Sequence, residues 1–239
     1  MLSLIIPTYN EAGNIVQLLD ETCALLRKRG LSFEIIVVDD NSPDETWKVV
    51  ENYGKKNFSV RAIRRTSERG LSSAVVAGFD AAKGEMLGVM DADRSHDVRI
   101  LPALAELVMG GSADIAVGSR KVEGGGVGEW PIYRKIFSGF ATRLTKMLTR
   151  VEVSDPMSGY FCVSRPAYQS CRTFLKPKGY KILLEILAKS QGLRLKEVPY
   201  IFSNRTQGQS KLSLRVMVEF VIQLIELLWF RIATCFHLR

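Results

Sequence analysis

The chain has little cysteine: Cys23, Cys162, Cys171 and Cys235 lie at irregular spacing, with no C-x-x-C pair among them. That excludes a zinc ribbon and a disulfide framework, and it fits a reducing compartment. No leader is expected either. Met1 runs directly into Leu2-Ser-Leu-Ile-Ile6, which is too short for a secretory core and has no basic segment ahead of it, so the run reads as a first strand. Long apolar runs are missing. Val216–Phe236 comes nearest to a membrane span, and the four strongly polar residues Glu219, Gln223, Glu226 and Arg231 interrupt it. There is no internal repeat, and no linker marks a second independent domain. Aromatic and basic residues do not interleave and no groove-reading helix is evident, so nucleic acid is not an expected partner.

What is present is a globular composition, 46% hydrophobic and 24% charged over 239 residues, enough for one large α/β domain or two small ones. The net charge is +8 and unevenly spread: residues 120–215 hold 18 Lys/Arg against 6 Asp/Glu, a net +12, which leaves −4 for the remainder. By charge alone, a basic half beside an acidic one suits phosphate, anionic lipid or nucleic acid.

Apolar runs of strand length alternate with amphipathic stretches. Strands are expected at Leu2–Ile6 (ended by Pro7), Phe33–Val38, Val60–Arg64, Met86–Met90 and Asp114–Val117. Helices are expected at Asn14–Arg29, Glu45–Lys55, Ser72–Lys83 and Ile100–Met109. This order implies a doubly wound, mostly parallel sheet with helices on both faces. Continuous apolar strands fit a sheet covered on both sides. Beyond Gly118 come a glycine-rich loop, Val122–Glu129, and a basic helical stretch, Trp130–Arg150. Strands at Tyr160–Ser164 and Leu195–Ser203 then flank a helix at Tyr180–Gln191. In the last segment Lys211, Arg215, Glu219, Gln223 and Glu226 fall on one stripe of an otherwise apolar helix. It reads either as an interfacial helix with Trp229 and Phe230 facing lipid, or as a helix packed on the domain.

The most informative chemistry is Asp91-Ala-Asp93, just past the buried run Met86–Met90. Two carboxylates spaced i, i+2 at the mouth of a parallel sheet sit where open α/β folds bind ligands. Hard oxygen ligands suit Mg²⁺ or Mn²⁺, which in turn would hold a diphosphate. Pro7-Thr-Tyr-Asn-Glu11 offers the flat face of Tyr9 and the carboxylate of Glu11. Asp39-Asp40-Asn-Ser-Pro-Asp44 adds a third acidic strand end. Carboxylates gathered at one edge repel unless a cation or ligand hydroxyls lie among them.

With these pieces in place the chain resembles family-2 GT-A glycosyltransferases, and within them the polyprenyl-phosphate (dolichyl-phosphate) mannosyltransferase group. The resemblance runs in order through Pro7–Glu11, Val37–Asp44, Arg69–Ala74, Met90–Asp93, Gly118–Arg120, Asp155–Tyr160, Gly179–Glu185 and Asn204–Leu212. It implies that Pro7, Tyr9, Glu11 and Asp39 hold the base and ribose of a nucleotide-diphosphate sugar. Asp91 and Asp93 would hold the metal and the donor diphosphate, which Arg205 and Lys211 would neutralise. Arg120, Arg134 and Ser138 match positions that receive the acceptor phosphate. The implied reaction is inverting transfer of a hexose, first of all mannose from GDP-mannose, to a polyprenyl or dolichyl phosphate at the cytoplasmic face of a membrane. UDP-glucose as donor, or a non-catalytic nucleotide-sugar-binding subunit, are the rival readings. A processive synthase would carry Q-x-x-R-W, which none of Trp47, Trp130 or Trp229 supplies. The implied organisation is a catalytic domain over 1–211 and an amphipathic interfacial helix over 212–239. Relatives often continue into transmembrane helices, so a continuation or separate membrane subunits are expected. Five positions depart from the group's pattern. The usual D-A-D-L-Q-H-P is Asp91-Ala-Asp93-Arg-Ser-His-Asp97 here, so Ser95 replaces a metal-assisting Gln and leaves water, His96 or Asp97 to complete the set. The glycine after S-P-D is Glu45, and the second glycine of G-L-G is Ser72.

Overall fold

The computed structural model describes residues 1–128, 139, 141–147, 152–177, 179–190, 192–203 and 214–237, with side chains at 218–233 in the last segment. Strands and helices alternate through the first half: β1 (Leu2–Thr8), α1 (Ala12–Lys28), β2 (Phe33–Asp39), α2 (Thr46–Gly54), β3 (Val60–Arg64), α3 (Leu71–Ala81) and β4 (Met86–Val89). A 3₁₀ turn (Val98–Ile100) leads into α4 (Leu101–Met109) and β5 (Ile115–Ser119), followed by the short β6 (Gly126–Val127) and helical residues 141–147 (α5). Then come β7 (Phe161–Ser164), α6 (Arg165–Arg172), α7 (Ile182–Lys189), β8 (Leu195–Pro199), β9 (Ile201–Phe202) and α8 (Leu214–His237).

Seven strands form the main sheet in the order β3-β2-β1-β4-β7-β5-β8, and β6 pairs with β9 apart from it. All main-sheet neighbours are parallel except those of β7, which runs antiparallel to both β4 and β5. The mostly parallel α/β expectation therefore holds. The strand order reverses between β1 and β4, the switch point where such sheets open a crevice.

Alternation along each strand feeds two cores. Leu4, Ile6, Ile35 and Val37 pack with Ile15, Val50 and Leu101 of α1, α2 and α4. Ile5, Ile36, Val38 and Val89 pack with Val75, Tyr168, Leu183 and Leu224 of α3, α6, α7 and α8. Phe79 meets Phe161 edge-on at 6.4 Å and Tyr168 at 5.0 Å. Each contact adds about 0.5–1.5 kcal/mol beyond the area it buries.

Four expectations need correction. Pro7 does not stop β1. Leu2 N–H bonds Ser32 O and Thr8 O accepts from Asp40 N–H on the β2 side, whereas Ile5 O accepts from Met90 N–H on the β4 side. Pro7 shares the side of Ile5, and β4 pairs no further than Ile5, so the missing N–H faces no ladder. Leu195–Ser203 is two strands: at Tyr200 the chain leaves β5, with Tyr200 N–H on Ser119 O and Gly126 N–H on Tyr200 O. The glycine-rich segment thereby contributes β6 instead of a plain loop. Finally, α6 has no counterpart in the sequence reading. Its signals were Ser164, whose Oγ caps Ala167 N–H, and Pro166 in the first turn.

Candidate active site at the sheet's C-terminal edge

Met90 N–H closes the ladder on Ile5 O, and the two aspartates follow at once. Arg94 then takes φ +60 and doubles the chain back. Asp93 Oδ1 accepts from Ser95 N–H at 3.1 Å and Ser95 Oγ at 2.5 Å. Asp91 N–H donates to His96 Nδ1 at 3.1 Å, which puts the ring proton on Nε2, 3.6 Å from Asp91 Oδ2. His96 stacks on Tyr160 at 4.8 Å and meets Tyr200 and Phe202 edge-on. Burial pushes its pKa down, against Asp91 and Asp93, which raise it. His96 therefore serves as a neutral brace beneath the D-x-D turn. Asp97 spends its carboxylate on Arg99, through N–H, Nε and Nη2. His96 and Asp97, two of the three stand-ins for the missing Gln, thus each have protein partners here. Among the described residues no group of three or more His, Cys, Asp or Glu gathers in ligand geometry.

The segment Asp155–Gly159 faces this turn. Asp155 is fully buried and holds Arg120 by both oxygens, Nε at 2.6 Å and Nη2 at 2.8 Å. Burial works against the Asp155 charge, but the Arg120 hydrogen bonds and charge outweigh it and hold the carboxyl below its ordinary range. Met157 O accepts from Lys181 Nζ at 3.2 Å. Ser158 Oγ donates to Gly118 O at 2.7 Å. Gly159 lies so close that a Cβ there would stand 3.2 Å from Asp91 Oδ2. Lys181 was not among the sequence-derived site residues. Burial and the nearby Arg120 push its ammonium down to about 8, while Asp91 and Asp155 raise it.

On the far side of the switch point, the loops after β1 and β2 are stitched together. Asn10 N–H donates to Ser42 Oγ, Glu11 N–H to Thr46 Oγ1 and Ala12 N–H to Asp44 Oδ2. Asp39 is fully buried, and accepts from Ser42 N–H, Ser42 Oγ and Thr8 Oγ1. Glu11 sits at the N-terminus of α1 and accepts from Asn14 Nδ2. Asp40 grips Arg65, and the Arg69 guanidinium lies over the Tyr9 ring at 5.3 Å. A 370 Å³ hollow nearby is lined by Asn41, Pro43, Trp47, Arg64 and Arg69, among others. The four non-glycine residues with positive φ among those described, Asn10, Asn41, Glu45 and Arg94, all lie on these edge loops. Backbone strain of this kind concentrates at functional sites. Glu45, at φ +57, stands where the group's glycine would relieve it.

The structure thus brings Pro7, Tyr9, Glu11, Asp39, Asp91, Asp93 and Arg120 to one edge of the sheet. Arg134, Ser138, Arg205 and Lys211 lie outside the described residues. The D-x-D turn does reach the chain just ahead of Asn204: Ser203 N–H donates to Ser95 O at 3.1 Å.

The family model for Glycosyl transferase family 2 matches residues 3–172. The dolichol-phosphate mannosyltransferase of Pyrococcus furiosus is 42% identical over 229 residues, which are 95% of this chain and 63% of that protein. The chain thus spans under two thirds of that relative. Those of Mycosarcoma maydis and Saccharomyces cerevisiae are 37% and 38% identical, over 97% and 96% of this chain and 80% and 87% of theirs. The fold matches mannosyl-3-phosphoglycerate synthase from Rubrobacter xylanophilus with a TM-score of 0.68 at 19% identity, over 97% of this chain and 73% of that one. It matches glucosyl-3-phosphoglycerate synthase from Mycobacterium tuberculosis, in complex with Mn²⁺, UDP-glucose and phosphoglyceric acid, with a TM-score of 0.65 at 20% identity, over 97% and 79%. These two likenesses are of fold. The family match and the curated relatives, together with the edge just described, make this chain a family-2 glycosyltransferase of the dolichol-phosphate mannosyltransferase group.

Proposed function

We propose that the chain transfers mannose from GDP-mannose to dolichyl phosphate with inversion at the sugar's anomeric carbon. The observation that carries this reading is the D-x-D turn at the β1/β4 switch point, on a chain 38% identical over 96% of its length to a dolichol-phosphate mannosyltransferase. A divalent cation, Mg²⁺ or Mn²⁺, fits the residues present: two hard carboxylates, one of them in a cradle that a Cβ at residue 159 would crowd. Asp91 and Asp93 would hold it, and it would supply positive charge to the donor diphosphate.

The remaining chemistry belongs to the chain. A phosphate oxygen of the acceptor attacks the anomeric carbon as the bond to the nucleoside diphosphate breaks. That oxygen is already anionic near neutral pH, so no proton moves and no general base is needed. One unit of negative charge passes from the acceptor phosphate to the leaving diphosphate. The protein must hold both anions in line and follow that charge. Arg120, fixed by Asp155, holds the incoming phosphate with Arg134 and Ser138. Arg205 and Lys211 receive the departing diphosphate. Pro7, Tyr9, Glu11 and Asp39 frame the nucleoside, with the Asp39 contribution made through the loop it clamps. The lipid acceptor places the domain at the cytoplasmic face of a membrane, with membrane subunits or a continuing chain as further anchors.

Radiolabelled GDP-mannose and UDP-glucose, each offered with dolichyl phosphate and Mn²⁺, test the assignment. Label is expected in lipid from GDP-mannose alone. Asp93→Asn should cut transfer at least about a hundredfold with its melting temperature kept. Label from UDP-glucose alone, or a fully active Asp93→Asn, overturns the reading.

A further inference from the structure

Five consecutive residues, Asp155 to Gly159, tie three separate charged groups to one strip of backbone. Asp155 clamps Arg120, Met157 O takes the Lys181 ammonium at 3.2 Å, and Gly159 abuts the Asp91 carboxylate. Arg120 and Lys181 are thereby held as neighbouring cations, and the Arg120 charge weakens the environment for the Lys181 ammonium, against Asp91 and Asp155, which favour it. Asp155 answers Arg120 directly through two hydrogen bonds. Lys181 donates to a neutral carbonyl, with the Asp91 and Asp155 charges farther off. Two like charges gathered at low solvent exposure favour a further anion beyond the carboxylates already there.

Lys181 is also held from behind. It stands at the N-cap of α7, where the positive end of the helix dipole adds to its own charge. Its carbonyl accepts from Gln223 Nε2 of α8 at 3.2 Å and from Glu185 N–H at 3.3 Å. The preceding turn is fixed by Ser72 N–H on Gly179 O. These bonds fix the backbone from which the Lys181 side chain extends. We propose that Lys181 is a further binding residue of the transfer site, paired with Arg120 to receive the phosphate monoester of the acceptor. This rests on the transfer reading above and adds a contact to it. The phosphate relieves the Arg120–Lys181 repulsion, and the lysine contributes a point charge beside the arginine's planar fork.

Lys181→Gln removes the charge and keeps a donor for Met157 O, so it is the cleaner test. In wild type, a short-chain prenyl phosphate in detergent should raise the melting temperature, and Lys181→Gln should largely abolish that shift while the shift with GDP and Mn²⁺ persists. In transfer assays the acceptor KM should rise about tenfold or more, the value of one charged hydrogen bond, with the donor KM little changed. Lys181→Arg should recover most of the acceptor affinity, and it carries the test alone if the glutamine variant does not fold. An unchanged prenyl-phosphate shift in Lys181→Gln, equal losses for donor and acceptor, or a Lys181→Arg protein no better than glutamine overturns the assignment. The thermal shifts report on Lys181 even if the wild-type chain transfers no mannose, an outcome that would count against the reaction and not against the binding residue.

Discussion

His96 shows how a single side chain sets the shape of the sheet's C-terminal edge. Its ring is buried, accepts the Asp91 N–H and stacks on Tyr160, an arrangement that requires the neutral form. Burial lowers its pKa below the ordinary 6.5, so on acidification the unfolded chain takes up the proton first. The stability contribution is therefore complete above about pH 6.5 and declines as pH falls from there toward the folded value, by at most about 1.4 kcal/mol per pH unit. Melting temperature should drop as pH falls below about 6.5, and His96→Gln should show a shallower drop over the same range. Equal slopes in the two proteins would remove His96 as the source. Legibility at this scale divides by sequence distance. Asp91 and Asp93 stand together after a strand and could be read directly. The partners that make the edge work could not: Arg120 and Asp155 are 35 residues apart, and Lys181 lies 24 from Met157. Strings such as Asp155–Tyr160 and Gly179–Glu185 were visible as motifs, but only the fold shows which residue touches which.

Among the elements, β1 and α3 carry the closest approach behind the site. A Cβ on Gly78 would lie 2.5 Å from Ile5 Cγ2 and 3.1 Å from Cγ1, so α3 can seat on β1 only through glycine. Gly78→Val should overpack this contact at a cost of about 1–3 kcal/mol. That corresponds to about 2–4 °C per kcal/mol for a domain of this size. Gly78→Ala should lose less, because better helix propensity returns up to about 1 kcal/mol. A Gly78→Val protein that melts with wild type would show that α3 shifts freely on the sheet. The first four strands and their helices were legible because local period and tertiary role agree there: apolar runs become strands covered on both faces. Agreement ends where pairing is non-local. The antiparallel direction of β7 and the exchange of β5 for β6 at Tyr200 depend on partners far away in sequence. The brief α6 buries only Ala167, Tyr168 and Cys171, too few positions to show a period.

For the whole molecule, the inverted helix α8 presents the surface that membrane association would use. A surface helix ordinarily turns its polar stripe to water. Here Gln223 is buried with Leu224 and Leu227 against the domain, and Phe230 packs on Phe174 at 5.7 Å, so Phe230 does not face outward as expected from sequence. Val218, Val221, Ile222, Ile225, Trp229 and Ile232 form the outer face, between 41% and 68% exposed. No helix among the described residues is long and apolar enough to cross a membrane. An apolar face of that breadth, on a chain with a net +12 over residues 120–215, suits the surface of an anionic bilayer, where each basic residue near the headgroups adds about 1 kcal/mol. Ile222→Glu with Ile225→Glu places two carboxylates in the outer face and leaves Gln223, Leu224 and Leu227 in their packing. Cosedimentation with vesicles containing anionic lipid should fall at least about tenfold, two isoleucines transferred from water into lipid being worth several kcal/mol. Transfer to a short-chain prenyl phosphate in detergent should stay near wild type, while transfer to dolichyl phosphate embedded in vesicles should collapse. If the double variant still sediments and still works on embedded lipid, α8 faces something other than the bilayer, and the enzyme must meet its acceptor by another surface.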